Sequence, residues 1–162
     1  MQHTISVLVV NQFGVLSRIS GLFSGRGFNI ESLNVAKTNE PGISRMTIIT
    51  RGDDKKIEQI TKQLNKLVDV IKVIDLTEEY FVDRELILVK MNAEARVREE
   101  ILRIVDIFRA KVIDVSPYNY TVEITGDEGK TKGFLDLLKP LGIKEIVRSG
   151  RIAITRGTKS IN

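Results

Sequence analysis

Cysteine is absent from all 162 residues. That single fact removes disulfides, thiolate metal sites and thiol nucleophiles. Only one histidine is present, His3. It stands before the first strand-like run with no cluster of acids near it in sequence, so a metal or general-base role is not expected, since such sites need several converging groups. No apolar run approaches the ~20 residues that span a bilayer, and no membrane association is expected. Met1-Gln2-His3-Thr4 leads straight into a strand-like run, so no signal or transit peptide is expected and the protein reads as cytoplasmic. The Gly-x-Gly-x-x-Gly and Gly-Lys-Ser/Thr spacings of nucleotide loops are missing; the nearest approach, Gly21-x-x-x-Gly25-x-Gly27, falls within a predicted helix. No serine sits in a nucleophile elbow. Adjacent acids such as Asp53-Asp54, Glu78-Glu79 and Glu99-Glu100 read as helix caps and solvated faces, because neighbours in sequence do not converge on one substrate.

What is present is an ordinary globular mixture, 42% hydrophobic and 28% charged, long enough for one medium or two small domains. The net charge of +4 invites a nucleic-acid reading. Interleaving argues against it: in Lys55-Lys56-Ile57-Glu58 and Arg96-Val97-Arg98-Glu99-Glu100 the two signs alternate, as on a solvated surface, and no basic recognition helix is found.

Ile5 to Val10 is β-branched and apolar and reads as a central strand. Asn11 to Gly14 is a turn, and Val15, Leu16, Ile19, Leu22 and Phe23 then mark one face of a helix. Gly27 fits the position just past its end, where a left-handed conformation is common. Strands follow at 29–37 and 44–50, joined by the turn Asn39-Glu40-Pro41-Gly42. Gly52-Asp53-Asp54 caps a helix carrying Ile57, Ile60, Leu64 and Leu67, and a fourth strand spans 70–76. This β-α-β-β-α-β order is the ferredoxin-like unit.

The order then repeats. A strand at 86–91 precedes a helix with Val97, Ile101, Ile104, Val105 and Phe108. Strands at 112–115 and 120–125 precede a short helix ending near Pro140. Two last strands, 144–148 and 151–155, flank Ser149-Gly150 as a two-residue hairpin. The fold class is therefore α+β, two ferredoxin-like domains in tandem, with domains 1–77 and 78–162.

Between the first strand and helix, the glycine turn leaves backbone N–H groups at Gly14, Val15 and Leu16 pointing at a helix N-terminus, a receptor for a small carboxylate. Asn11 or Asn29 can accept from an ammonium group. An equally open reading has Asn11 satisfying a turn and Asn29 starting a strand. The second half carries Asn92-Ala93-Glu94-Ala95 at the corresponding place. Without glycine it is less able to bring donors close to a ligand, so only the first domain is expected to bind a small molecule.

Asn11-x-x-Gly14-Val15-Leu16 between a strand and a helix resembles the ligand loop of ACT domains, which sense amino acids. The longer run from Asn11 through Ser17-Arg18-Ile19, Gly21-Leu22-Phe23-Ser24 and Arg26-Gly27-Phe28-Asn29-Ile30-Glu31-Ser32-Leu33 is similar to the small, regulatory subunits of acetolactate synthase (acetohydroxyacid synthase). Ser44-Arg45-Met46-Thr47, Leu64-x-Lys66-Leu67-x-Asp69-Val70, Arg84-Glu85-Leu86, Ile113-Asp114-Val115 and Arg148-Ser149-Gly150 extend the match over almost the whole chain. Phe13 stands where many relatives carry proline.

The resemblance implies a non-catalytic subunit of branched-chain amino acid biosynthesis. Its ACT domains pair side by side as a homodimer. Valine binds between them, on Asn11, Gly14, Val15 and Leu16 of one chain and Asn29 and Ile30 of the other. The partner implied is a catalytic large subunit carrying thiamine diphosphate, magnesium and FAD; none of these cofactors is expected on this chain. The small subunit raises that partner's activity and confers feedback inhibition by valine. Three alternatives stand beside this: a stand-alone sensor regulating transcription, an enzyme regulated by its own ACT domain, and an inert assembly module. Neither DNA-binding helix nor catalytic cluster is visible for the first two.

Overall fold

The computed structural model describes residues 1–161. Two compact units form, Met1–Val82 with the segment from Arg151 onward, and Asp83–Gly150. This differs from the 1–77 and 78–162 division in two places: 78–82 stay with the first unit, and the C-terminal segment returns to it.

In the first unit, β1 (Gln2–Val10), α1 (Val15–Gly25), β2 (Ile30–Lys37), β3 (Ile43–Arg51), α2 (Asp54–Leu64) and β4 (Val70–Asp75) follow the expected order. The four strands form an antiparallel sheet in the order β2-β3-β1-β4. Alternation within β1 sends Ile5, Val7 and Val9 to one face, where they meet Met46 and Ile48 of β3, Ile19 and Phe23 of α1, and Ile60 and Leu64 of α2. Each large side chain so buried contributes about 1.5–3 kcal/mol. Asp53 caps α2, its carboxylate accepting from Lys56 N–H at 2.8 Å.

The opposite face is polar yet also buried: Thr4, Ser6 and Thr47 are at most 5% exposed. The C-terminal segment lies here. Arg45 donates through Nε to Ser6 Oγ (2.9 Å) and through Nη2 to Ala153 O (3.1 Å), while Arg151 N–H donates to Ser32 Oγ at 3.3 Å. Burial lowers the pKa of the Arg45 guanidinium, since desolvation disfavours its charge.

The second unit repeats the plan. β5 (Phe81–Asn92), α3 (Ala95–Ile107), β6 (Lys111–Val115), β7 (Asn119–Gly126), α4 (Glu128–Gly142) and β8 (Ile143–Arg148) give the sheet order β6-β7-β5-β8, with Ile101, Val105, Phe134 and Leu138 packed on Ile87, Val89, Val122 and Ile124.

Two elements depart from expectation. The helix α4 runs 15 residues and carries Pro140 inside it. Proline removes one i→i−4 bond, but the carbonyl so released, at Asp136, belongs to an exposed residue. The second departure is at Ser149-Gly150, which does not close a hairpin: β8 and β9 (Ile152–Thr155) both pair with β5. β5 is 12 residues long and β8 occupies only its 87–91 stretch. Ser149 exchanges two bonds with Leu86, N–H to O at 3.0 Å and Oγ from N–H at 3.1 Å, and the chain then moves on to the first unit.

Candidate functional site

The turn after β1 is built as the glycine spacing predicts. Gly14 occupies the N-cap of α1 at φ +81° and ψ −3°, with no side-chain cap; an L-residue is strained there. Asn11 N–H donates to Gly42 O at 2.7 Å and Gln12 N–H to Val10 O at 3.0 Å, which pins the loop to the sheet. Val15 N–H makes only a long contact, 3.4 Å, to Gln12 O. Among the described residues, no acceptor in the chain stands opposite the N–H groups of Gly14, Leu16 and Ser17. With the partial positive charge of the helix end, these form an open anion receptor.

A cation stands beside it. Arg18 donates through Nε to Asp69 Oδ2 at 2.9 Å and through Nη2 to the same oxygen at 2.5 Å. Its Nη1 lies 3.0 Å from where a Cβ on Gly14 would be. Asp69 is anchored in turn, its carbonyl accepting from Val10 N–H at 2.8 Å.

At the other end of α1 the chain turns through Gly27, at φ +69°. Phe28 N–H returns to Phe23 O at 3.0 Å and Gly27 N–H to Ser24 O at 3.1 Å, a Schellman closure. Phe28 and Phe23 meet edge to face, centroids 6.4 Å apart, the apolar contact that accompanies such closures. Here lies an open depression of about 410 Å³ lined by Ser20, Phe23, Ser24, Gly27, Phe28, Asn29 and Ile30. Thr50 Oγ1 donates to Asn29 O at 2.7 Å, fixing the backbone and leaving the carboxamide exposed.

The six candidate residues thus fall into two groups. Asn11, Gly14, Val15 and Leu16 gather at the N-terminus of α1; Asn29 and Ile30 gather past its C-terminus. The 11-residue helix between them is ~16 Å long, so a small molecule does not touch both groups in one chain. Val15 is 4% exposed, so its side chain belongs to the core and only its backbone is offered. The carboxamides of Asn11 and Asn29 make no hydrogen bond within the chain among the described residues. Arg18 and Asp69 carry no role that the sequence assigns; their pairing beside Gly14 spans 51 residues and no local signal reveals it.

His3 departs from expectation. It lies inside β1, 3% exposed, with Nδ1 3.0 Å from Asp75 Oδ2 and Nε2 3.6 Å from Asp54 Oδ1. Both acids come from distant elements. Even so, no group of three or more His, Cys, Asp or Glu able to hold a metal exists among the described residues, and no helix among them is long and apolar enough to cross a membrane.

A βαββαβ unit with a glycine turn at the head of its first helix, followed by a second unit of the same strand order, defines the class: a tandem α+β protein opening with an ACT domain. Sequence comparison carries this further. The model of the AHAS small subunit-like ACT domain matches residues 5–72, and that of the small subunit of acetolactate synthase matches residues 84–157. The acetolactate synthase small subunit of Aquifex aeolicus is 54% identical over 156 residues, 96% of this chain and 81% of its own length. That of Haemophilus influenzae is 49% identical over 162 residues, 99% of each. The crystal structure of the acetolactate synthase small subunit from Thermotoga maritima superposes with a TM-score of 0.88 at 42% identity, covering 98% of this chain and 99% of that one. The chain belongs to the acetolactate synthase small-subunit family.

Proposed function

We propose that this chain is the non-catalytic regulatory subunit of a cytoplasmic acetolactate synthase, that it raises the activity of the catalytic large subunit, and that it confers feedback inhibition through valine bound between the ACT domains of a homodimer. The observation that carries this reading is the split site. An anion receptor at one end of α1 and a carboxamide beside an apolar hollow at the other are each half of what an α-amino acid needs, and the helix holds them too far apart to serve one ligand. Two chains side by side bring the receptor of one to the hollow of the other.

The carboxylate then rests on the N–H groups of Gly14, Val15 and Leu16, the ammonium on the oxygens of Asn11 and the partner's Asn29, and the aliphatic side chain against Ile30. Two further features support pairing. β2, which begins at Ile30, is an edge of its sheet, and edges accept strands. Phe13 and Leu16 at the turn and Val35 on β2 are exposed, by 102%, 43% and 43%, apolar surface a partner would cover. Thiamine diphosphate, magnesium and FAD belong on the catalytic subunit in this reading. Inhibition requires that the occupied dimer engage that subunit differently, a coupling of about 1–3 kcal/mol. The decisive experiment measures acetolactate formation by the catalytic subunit with and without this chain across a valine titration. Activation that valine reverses is expected; neither activation nor a valine response would overturn the reading.

A further inference from the structure

The returning C-terminal segment is anchored at every step. Arg151 N–H donates to Ser32 Oγ of β2, and Ala153 O accepts from Arg45 of β3, whose Nε holds the fully buried Ser6 of β1. Arg156 gives its N–H to Tyr80 O at 2.8 Å and its Nε to Phe81 O at 3.2 Å. Lys159 Nζ reaches Glu79 Oε2 at 2.7 Å. A segment with a single purpose of ending the chain needs no contacts to two neighbouring strands of the first unit's sheet. Its first contact is made at a particular place. The β2–β3 register shifts between Ile30 and Ser32, so a bulge lies between the residue of the effector hollow and the residue that holds Arg151. Bulges are where a strand's pairing is locally broken and its side chains can be re-aimed.

We propose that the segment from Arg151 to Ile161 is a transmission strap: it reads the arrangement of β2 at Ser32 and carries the effector's presence from the ACT domain to the end of the second unit at Gly150. The inference rests on the effector site described above. Ligand against Asn29 and Ile30 biases the bulge, Ser32 Oγ moves with it, and the grip on Arg151 tightens or loosens, while Arg45 keeps the strap on the sheet in either state. Arg151 directly follows Gly150, the last residue of the second unit, so a change at Ser32 reaches that unit through one peptide bond.

The test is amide hydrogen exchange on the full chain, with valine binding followed in parallel by calorimetry. Valine is expected to change exchange at the 151–156 amides at least five-fold, and to leave the α2 amides unchanged. Ser32→Ala is expected to bind valine within three-fold of the parent affinity yet lose that response. Arg45→Gln, which retains a donor, serves as a second variant and is expected to raise strap exchange with or without valine. A merely structural strap would exchange faster in Ser32→Ala but respond to valine as before, and that result would overturn the proposal. So would valine that binds without altering the strap, leaving the site itself intact. Absence of valine binding to the parent chain would remove the site and the strap proposal together.

Discussion

Gly14 offers the sharpest separation of fold from ligand recognition. Its backbone, at φ +81°, costs an L-residue about 1–2 kcal/mol. A new Cβ would also meet Arg18 Nη1 at 3.0 Å. That atom ends a flexible side chain which is half exposed, so it can yield at the expense of part of its pairing with Asp69, about 0.5–1 kcal/mol for so open a pair. Gly14→Ala therefore loses about 2 kcal/mol, and at about 2–4 °C per kcal/mol for a chain of this size the melting temperature falls by about 4–8 °C. Gly14→Asp carries the same strain, but aspartate tolerates the left-handed region better than alanine. Its carboxylate faces the Arg18 guanidinium and a helix N-terminus, worth about 0.3–1 kcal/mol. In stability the aspartate variant is thus equal to or above the alanine variant. In valine binding the order is expected to reverse: alanine should weaken it, while aspartate should fill the anion receptor from within and abolish it. Scanning calorimetry and isothermal titration on both variants read the two orders. An aspartate variant that bound valine as well as the alanine variant would refute the placement of the carboxylate. An alanine variant melting within 1 °C of the parent would refute the strain argument.

Other substitutions test neighbouring claims. Asn29→Ala should weaken valine binding about ten-fold with the melting temperature unchanged, since its carboxamide makes no bond within the chain among the described residues; titration calorimetry reads this directly, and an unaltered affinity would remove Asn29 from the site. Arg148→Met should destabilise by about 3 kcal/mol in urea unfolding, because Glu85, 7% exposed, loses bonds of 2.9 and 2.6 Å; pairing it with Glu85→Met should restore most of the loss. Hydrogen bonding to Glu85 raises the Arg148 guanidinium above its ordinary value, so the pair's contribution is complete below the unfolded value and is lost only as pH rises through the folded one. The Arg148→Met deficit should accordingly stay constant across the neutral range. Asp53→Ala, which removes the 2.8 Å cap on Lys56 N–H, should cost about 1 kcal/mol in the same assay and leave valine binding untouched.

Local rules found most of the fold because most of its determinants are local. The glycines at 14 and 27 adopt the left-handed conformations their spacing requires, and the apolar positions Ile57, Ile60 and Leu64 are the buried ones of α2. Where chain neighbours compete with distant ones, local reading loses. Ser149-Gly150 has the composition of a tight turn, yet both flanking strands pair with the 12-residue β5 and not with each other. His3 has no acidic neighbour in sequence, while Asp75 and Asp54 reach it from elements 72 and 51 residues away. Val15 sits in the loop motif, but the helical period that makes it the first core residue of α1 also turns its side chain away from any ligand.

The two ends of α1 explain why the proposed site cannot close within one chain. Gly14 sets where the helix starts, and the Phe23–Phe28 contact with the turn at Gly27 sets where it stops. The 11 residues between them act as a spacer of ~16 Å. Ile19 and Phe23 anchor the spacer to the sheet on one side. On the other, nothing stands within 4 Å of a Cβ added at Gly21 or Gly25. In the proposed dimer the effector is shared between copies, and its occupancy is tied to how the two copies lie together. A site completed by one chain would report only that valine had bound. A site divided between copies, as proposed, would report it as a change in pairing, which is the form in which a regulatory subunit can act on another.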